Sequence, residues 1–229
     1  MNQISQAESR PSTQQTFFAR TMGYFALALA AAAGGVSTGI FLLPPNLLAS
    51  RGFMFAMFAA TLILVFTSRK WSIGRFGYLF LILFAGVLGI TMVPLLAFAA
   101  LTAGTTVLAK ALLAAVSMFV GMAIFGFTTR KDLSGIGGFL MASLIGMIVV
   151  SLITLILHFF GISVWSNGIE LIFSGFGILI FAGFVAYDFQ KIKNRSDTIS
   201  PIQASISLFL DFILLFQYIL RFMTALSRD

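Results

Sequence analysis

The apolar residues of this chain fall in long unbroken blocks, neither alternating as in strands nor spaced as a single helical stripe. Several blocks reach the roughly 20 residues that an α-helix needs to cross about 30 Å of hydrocarbon. Read this way, the pattern predicts seven helices, over residues 22–43, 52–68, 76–99, 106–128, 135–160, 168–188 and 202–223. The first stops at Pro44-Pro45. The third carries Pro94, which should kink it or open a gap in its backbone hydrogen bonds. Residues 1–20, rich in Gln, Ser and Thr, read as a short, poorly ordered polar tail, leaving 21–229 as one transmembrane domain. The first block begins after Arg20 and is long enough to span, so it reads as a retained helix and not as a cleaved signal. The expected fold class is an all-α polytopic membrane protein in which short connections make sequential helices antiparallel neighbours.

Composition agrees with the blocks. The chain is 59% hydrophobic and 9% charged, where soluble domains carry about 25% charged residues. There is no cysteine and only one histidine, which excludes disulfides, thiol catalysis and multi-histidine metal sites. The net charge of +7 does not point to nucleic acid, because the basic residues sit at the ends of apolar blocks, where they orient helices. Arg10 and Arg20 precede the first block. Arg69, Lys70 and Arg75 lie between the second and third, Arg130 and Lys131 follow the fourth, and Lys191, Lys193 and Arg195 follow the sixth. The alternate connections hold only Arg51 and, at the edge of a helix, Lys110. The positive-inside rule therefore places the N-terminus and the basic loops in the cytoplasm. Arg221 and Arg228 run against a seven-span count, and six spans with a re-entrant last segment is the alternative.

The chemistry sits in the rare acids. Glu8, Asp132, Glu170, Asp197 and Asp229 lie in tails, loops or block edges and read as solvated. Asp211 lies inside Leu208-Phe209-Leu210-Asp211-Phe212-Ile213-Leu214, where a carboxylate costs about 2.5–3.5 kcal/mol on insertion scales. It should face the bundle interior and have a partner. Asp188 ends the sixth helix, about 7 Å inside Lys193 at 1.5 Å per residue. The last helix returns from the same side, so the two carboxyls can meet at similar depth on antiparallel neighbours. Two carboxylates in a poorly solvated site cannot both ionise cheaply and should titrate as a coupled unit, which makes a proton sensor. Deprotonated, they form a hard, oxygen-rich site suited to Ca²⁺. The bland alternatives are a protonated helix–helix hydrogen bond for Asp211 and a solvated helix end for Asp188.

Tyr187-Asp188-Phe189-Gln190-Lys191-Ile192-Lys193 resembles the YD…IK motif of the Bax inhibitor-1 family, and Ser207-Leu208-Phe209-Leu210-Asp211-Phe212-Ile213 with Leu220-Arg221 is similar to that family's last helix. Gly89-Ile90-Thr91-Met92-Val93-Pro94 and Thr129-Arg130-Lys131-Asp132-Leu133-Ser134 match more weakly upstream, extending the resemblance from about residue 70 to the end. It implies seven helices, six of them around a central C-terminal one. It implies a pH-sensitive Ca²⁺ leak whose opening is governed by an aspartate pair, here Asp188 and Asp211, which are also the candidate Ca²⁺ ligands. A basic latch is expected near the end of the second helix, at Arg69. The departures are Phe209 where Tyr is common, Leu214 where Asn is common, and a second helix without the acid that some bacterial members carry.

Other constellations are weak. His158, among Leu and Phe, reads as an interfacial residue. Ser174-Gly175 lacks the first glycine of an intramembrane serine protease, and the last helix has no lysine for retinal. Trp71 and Trp165 read as interface anchors. Gly35 and Gly39 form a GxxxG that reads as ordinary packing. The reading is thus a non-enzymatic, cofactor-free cation leak in a bacterial inner membrane, with the bilayer and Ca²⁺ or other cations as its partners. A non-conducting regulator that binds another membrane protein, such as a quality-control protease, is the alternative, and a proton-coupled transporter is a third.

Overall fold

A computed structural model of the chain describes residues 13–48, 50–71, 76–162, 166–194 and 199–228, and for positions 13, 45 and 69–71 the backbone alone. Every regular element among them is an α-helix: α1 (Thr13–Leu42), α2 (Pro45–Leu48), α3 (Arg51–Trp71), α4 (Gly77–Ala103), α5 (Thr106–Thr128), α6 (Ser134–Phe159), α7 (Asn167–Asn194) and α8 (Pro201–Leu226). All but the single turn α2 are long and apolar enough to cross a membrane. The fold is the expected polytopic helical bundle. Because α8 is one unbroken helix of 26 residues, the alternative of a re-entrant last segment does not describe it.

The helix ends differ from the expected ones where tertiary contacts extend a pattern that hydropathy alone cuts short. α1 begins at Thr13, so the last part of the expected polar tail is helical; residues 1–12 lie outside the described residues. Phe17 and Thr21 are buried. The Ser205 hydroxyl donates to the Thr21 carbonyl at 2.7 Å, and Gln14 Nε2 donates to the Lys193 carbonyl at 3.0 Å. α7 continues past Asp188 to Asn194 because Gln190 and Ile192 are buried. Lys191 and Lys193 lie in its last turn, where cations offset the helix dipole. α4 runs through Pro94 as one helix. Ser200 caps α8 through a reciprocal pair of bonds with Gln203, and Pro201 occupies its first turn.

α8 is the most buried span and α3 the least. α1, α4, α5 and α7 pack directly on α8, α3 touches it, and α6 leans on α7 and α3. The expected ring around a C-terminal helix therefore consists of four closely packed helices, with α3 at its edge and α6 outside. Small residues let backbones approach. A Cβ on Gly35 would strike the Gly86 backbone of α4, and one on Gly126 of α5 would strike the Ala186 carbonyl of α7. The Gly35–Gly39 pair is thus used inside the fold.

Two ends are distinguishable. At one, the start of α1, the α5–α6 loop and the end of α7 are tied together: Lys193 Nζ donates to the Phe127 carbonyl at 2.8 Å. Gln190 accepts from the Leu133 N–H at 2.7 Å and donates to the Lys131 carbonyl at 2.8 Å. This is the basic end. At the other, Arg51 donates to the Phe159 carbonyl at 3.4 Å, Asn167 to the Ala225 carbonyl at 3.1 Å, and Arg228 lies 4.6 Å over the Phe98 ring.

Candidate functional site

Asp188 and Asp211 come together. Asp188 stands six residues before the end of α7, about 9 Å along its axis, and Asp211 ten residues into α8, about 15 Å. The antiparallel packing of the two helices brings both to one place, with each side chain buried, 8% and 6% exposed. The carboxyls are close enough for the charge of Asp188 to act on Asp211. Asp188 is buried and not a solvated helix end, and Asp211 Oδ2 is buried with no hydrogen-bond partner among the described residues.

Aromatic rings wall the site. Phe209 and Phe212 flank Asp211, and Phe189 follows Asp188; all three are buried. Phe119 of α5 meets the Phe212 ring edge-on at 5.4 Å, stacks on Phe25 of α1 at 5.4 Å, and meets Phe189 at 5.7 Å. Phe84 of α4 meets Phe209 at 6.2 Å. Both acids are largely shielded from solvent, so their charge must be met by the few polar groups within reach.

Two such groups are Ser207 and Lys191. The Ser207 hydroxyl, one turn before Asp211, donates toward the Asp188 carboxyl, and the Lys191 ammonium acts electrostatically on both acids. Lys191 also lines a cavity of about 270 Å³ at the basic end, together with Asp132, Ser134, Tyr187, Gln190 and Asn194. The expected latch, Arg69, lies in the last turn of α3, and its side chain is outside the described residues, as are those of Lys70 and Trp71. Arg10, Arg75, Trp165, Arg195, Glu8, Asp197 and Asp229 lie outside them altogether. The i, i+3 spacing from Asp188 to Lys191, one helical turn, could have marked Lys191 as a near counter-charge.

The remaining acids divide. Asp132 is exposed and caps the start of α6, accepting from the Ser134 N–H and hydroxyl at 2.9 and 2.8 Å. Glu170, expected to be solvated, is only 15% exposed and pairs with Arg221 at 3.8 Å. α7 begins at Asn167, which puts Glu170 in a first turn that favours an anion, facing α8. The pair gives Arg221 an acid partner on the neighbouring helix. His158 is exposed in the last turn of α6, as an interfacial residue would be. Ser174 is fully buried and its hydroxyl bonds to the Glu170 carbonyl of its own helix.

The two buried acids stand on adjacent helices, in the Tyr-Asp and Leu-Asp words of the sequence. The chain matches the family model described as inhibitor of apoptosis-promoting Bax1 over residues 14–228. The chain belongs to the Bax inhibitor-1 family. It is 31% identical to the Escherichia coli inner membrane protein YbhL over 180 residues, 74% of this chain and 72% of that one. It is 31% identical to a Campylobacter jejuni protein over 223 residues, 96% and 92% of the two chains. It is 33% identical to the Bax inhibitor 1 of Schizosaccharomyces pombe over 152 residues, 66% and 53%. Against other bacterial relatives the match spans about half of their length, 42% for a Caulobacter vibrioides protein and 49% for one of Borreliella burgdorferi.

Proposed function

We propose that this Bax inhibitor-1 family protein is a pH-sensitive leak pathway for cations, chiefly Ca²⁺, opened and closed through the Asp188–Asp211 pair. The observation that carries the reading is Asp211 itself: a carboxyl in the middle of the most buried helix, with one oxygen lacking a hydrogen-bond partner among the described residues, beside a second buried acid. Such a pair is costly when both members are charged and cheap when they share a proton, so proton concentration sets its state. Lys191, whose charge acts on both acids, also lines the cavity at the basic end.

Ca²⁺ is cargo in this reading, not a resident ion. Two carboxyls and the Ser207 hydroxyl supply fewer oxygens than the six to eight that Ca²⁺ takes. No group of three or more acids, histidines or cysteines gathers among the described residues. A passing cation needs such a weak site, since one that binds too well does not release it. The placing of basic loops at one end supports an inner-membrane orientation with the N-terminus in the cytoplasm, and the Escherichia coli relative is named an inner membrane protein.

Ca²⁺ flux into proteoliposomes across pH 5–8, for wild type and Asp211→Asn, tests this. The expected outcome is a flux that changes with pH in wild type and ceases to do so in the variant. A flux, or absence of flux, indifferent to both would sink the leak and leave a non-conducting regulator bound to another membrane protein.

A further inference from the structure

The face of α7 that carries Asp188 also carries Phe181, Gly177 and Glu170, at 7, 11 and 18 residues' separation, each a near-whole number of helical turns. On α8, Tyr218 stands seven residues from Asp211 on the same face, about 10 Å further from the basic end. The two faces meet along the seam between the helices. Going from the aspartates toward the opposite end, the seam is filled by rings. Phe184 lies against Phe181 at 5.9 Å, and the Tyr218 ring stacks on Phe181 at 5.5 Å and 16°. Phe173 lies 6.0 Å beyond. The Tyr218 ring sits so close over Gly177 that a Cβ there would overlap it. One turn past Tyr218, Arg221 reaches back across the seam to Glu170 at 3.8 Å.

From this geometry we propose that Tyr218 is a plug, seated on Gly177 and Phe181 and latched by Glu170–Arg221, that closes the α7–α8 seam at the end opposite the basic loops. It rests on the leak reading above and gives the passage a second barrier, in series with the aspartates about two turns away. Ring and latch do different work. The ring fills the space that the missing Gly177 side chain leaves, excluding water along the seam. The ion pair, half-exposed on its arginine side, ties the last turns of α8 to the first turn of α7, and separating the helix ends releases the ring.

The absence of cysteine from the chain makes the test direct. Val185, fully buried on α7 between Phe181 and Asp188, is replaced by a single cysteine (Val185→Cys) in the full chain. Sealed membrane vesicles of either orientation are then treated with a charged, membrane-impermeant maleimide. Labelling is expected to be slow in this background. Tyr218→Ala and Arg221→Gln should each raise it about tenfold from the Glu170 side alone, the population shift that loss of a stacked ring and its burial produces. Tyr218→Phe, which keeps the ring, should not. Labelling no faster in Tyr218→Ala and Arg221→Gln, or equally faster from both sides, overturns the plug. Where Tyr218→Ala does not yield a cooperatively melting protein, Arg221→Gln carries the same comparison. The readout is independent of conduction. One-sided labelling without Ca²⁺ flux sinks the leak and keeps the plug, while pH-dependent flux with flat labelling does the reverse.

Discussion

Glu170 and Arg221 meet at 3.8 Å across the α7–α8 seam, at the end of the bundle away from the basic loops. Glu170 is largely buried and Arg221 is 40% exposed, so solvent screens part of the attraction. A double-mutant cycle on thermal unfolding in detergent, with Glu170→Gln, Arg221→Gln and both together, should give a coupling of about 0.5–1 kcal/mol. Arg221→Gln alone should cost more than the double variant, because it takes the cation away from a largely buried carboxylate. Strict additivity would mean that the two charges do not hold the helices together.

Gly126 brings α5 onto the Ala186 carbonyl, two residues before Asp188. Gly126→Ala places a methyl group against backbone that cannot swing aside, and overpacking of this kind costs about 1–3 kcal/mol. Gly121, on the same helix, has open space where its Cβ would be, so Gly121→Ala should lie within about 0.5 kcal/mol of wild type. Melting temperatures of the two variants decide the matter. Equal values would show that the α5–α7 approach is not tight.

Gln190 joins the α5–α6 loop to α7 through bonds to Leu133 and Lys131. Gln190→Leu keeps the side chain's bulk but strands both backbone groups, at a cost of about 1–3 kcal/mol if they stay dry. Hydrogen exchange at the Leu133 amide should accelerate in the variant, with amides in the middle of α5 unchanged. Unaltered exchange at Leu133 would show that the loop is held by other contacts.

Ser205 is fully buried on α8, and its single hydroxyl proton is shared between the Pro201 carbonyl of its own helix and the Thr21 carbonyl of α1. Interhelical bonds of this type in membranes are worth about 0.6 kcal/mol on average and at most about 1.7. Ser205→Ala should fall in that range by unfolding in mixed micelles, and a loss indistinguishable from zero would show that the bond to α1 adds nothing.

The number of spans and their approximate limits were legible because hydrocarbon thickness imposes a length that hydropathy reports directly. The Asp188–Asp211 meeting was legible too, since an acid in an apolar block must face inward and only a neighbour at equal depth can meet it. The span ends were not. Thr13–Arg20 and Gln190–Asn194 are polar by composition, and their helicity rests on tertiary bonds such as Gln14 to Lys193 that no local pattern announces. Glu170 looked solvated for the same reason: a first-turn acid next to an apolar block reads as surface until the α8 arginine that faces it is known. Lys191 was visible as a basic loop residue, and only the continuation of α7 by six residues turned it toward the acids.

The helix at the centre of the bundle is also the one made after all those that surround it. The residues of α1 through α7 precede it in the chain, so the span that carries Asp211 follows every helix that packs on it. Asp211 thus comes later in the chain than Asp188 and Lys191, the charged groups that act on it in the folded bundle. A carboxylate at the centre of a lone span costs about 2.5–3.5 kcal/mol, and here the chain supplies its neighbours first. The order of residues along the chain thus sets the ionisable core behind the helices that enclose it.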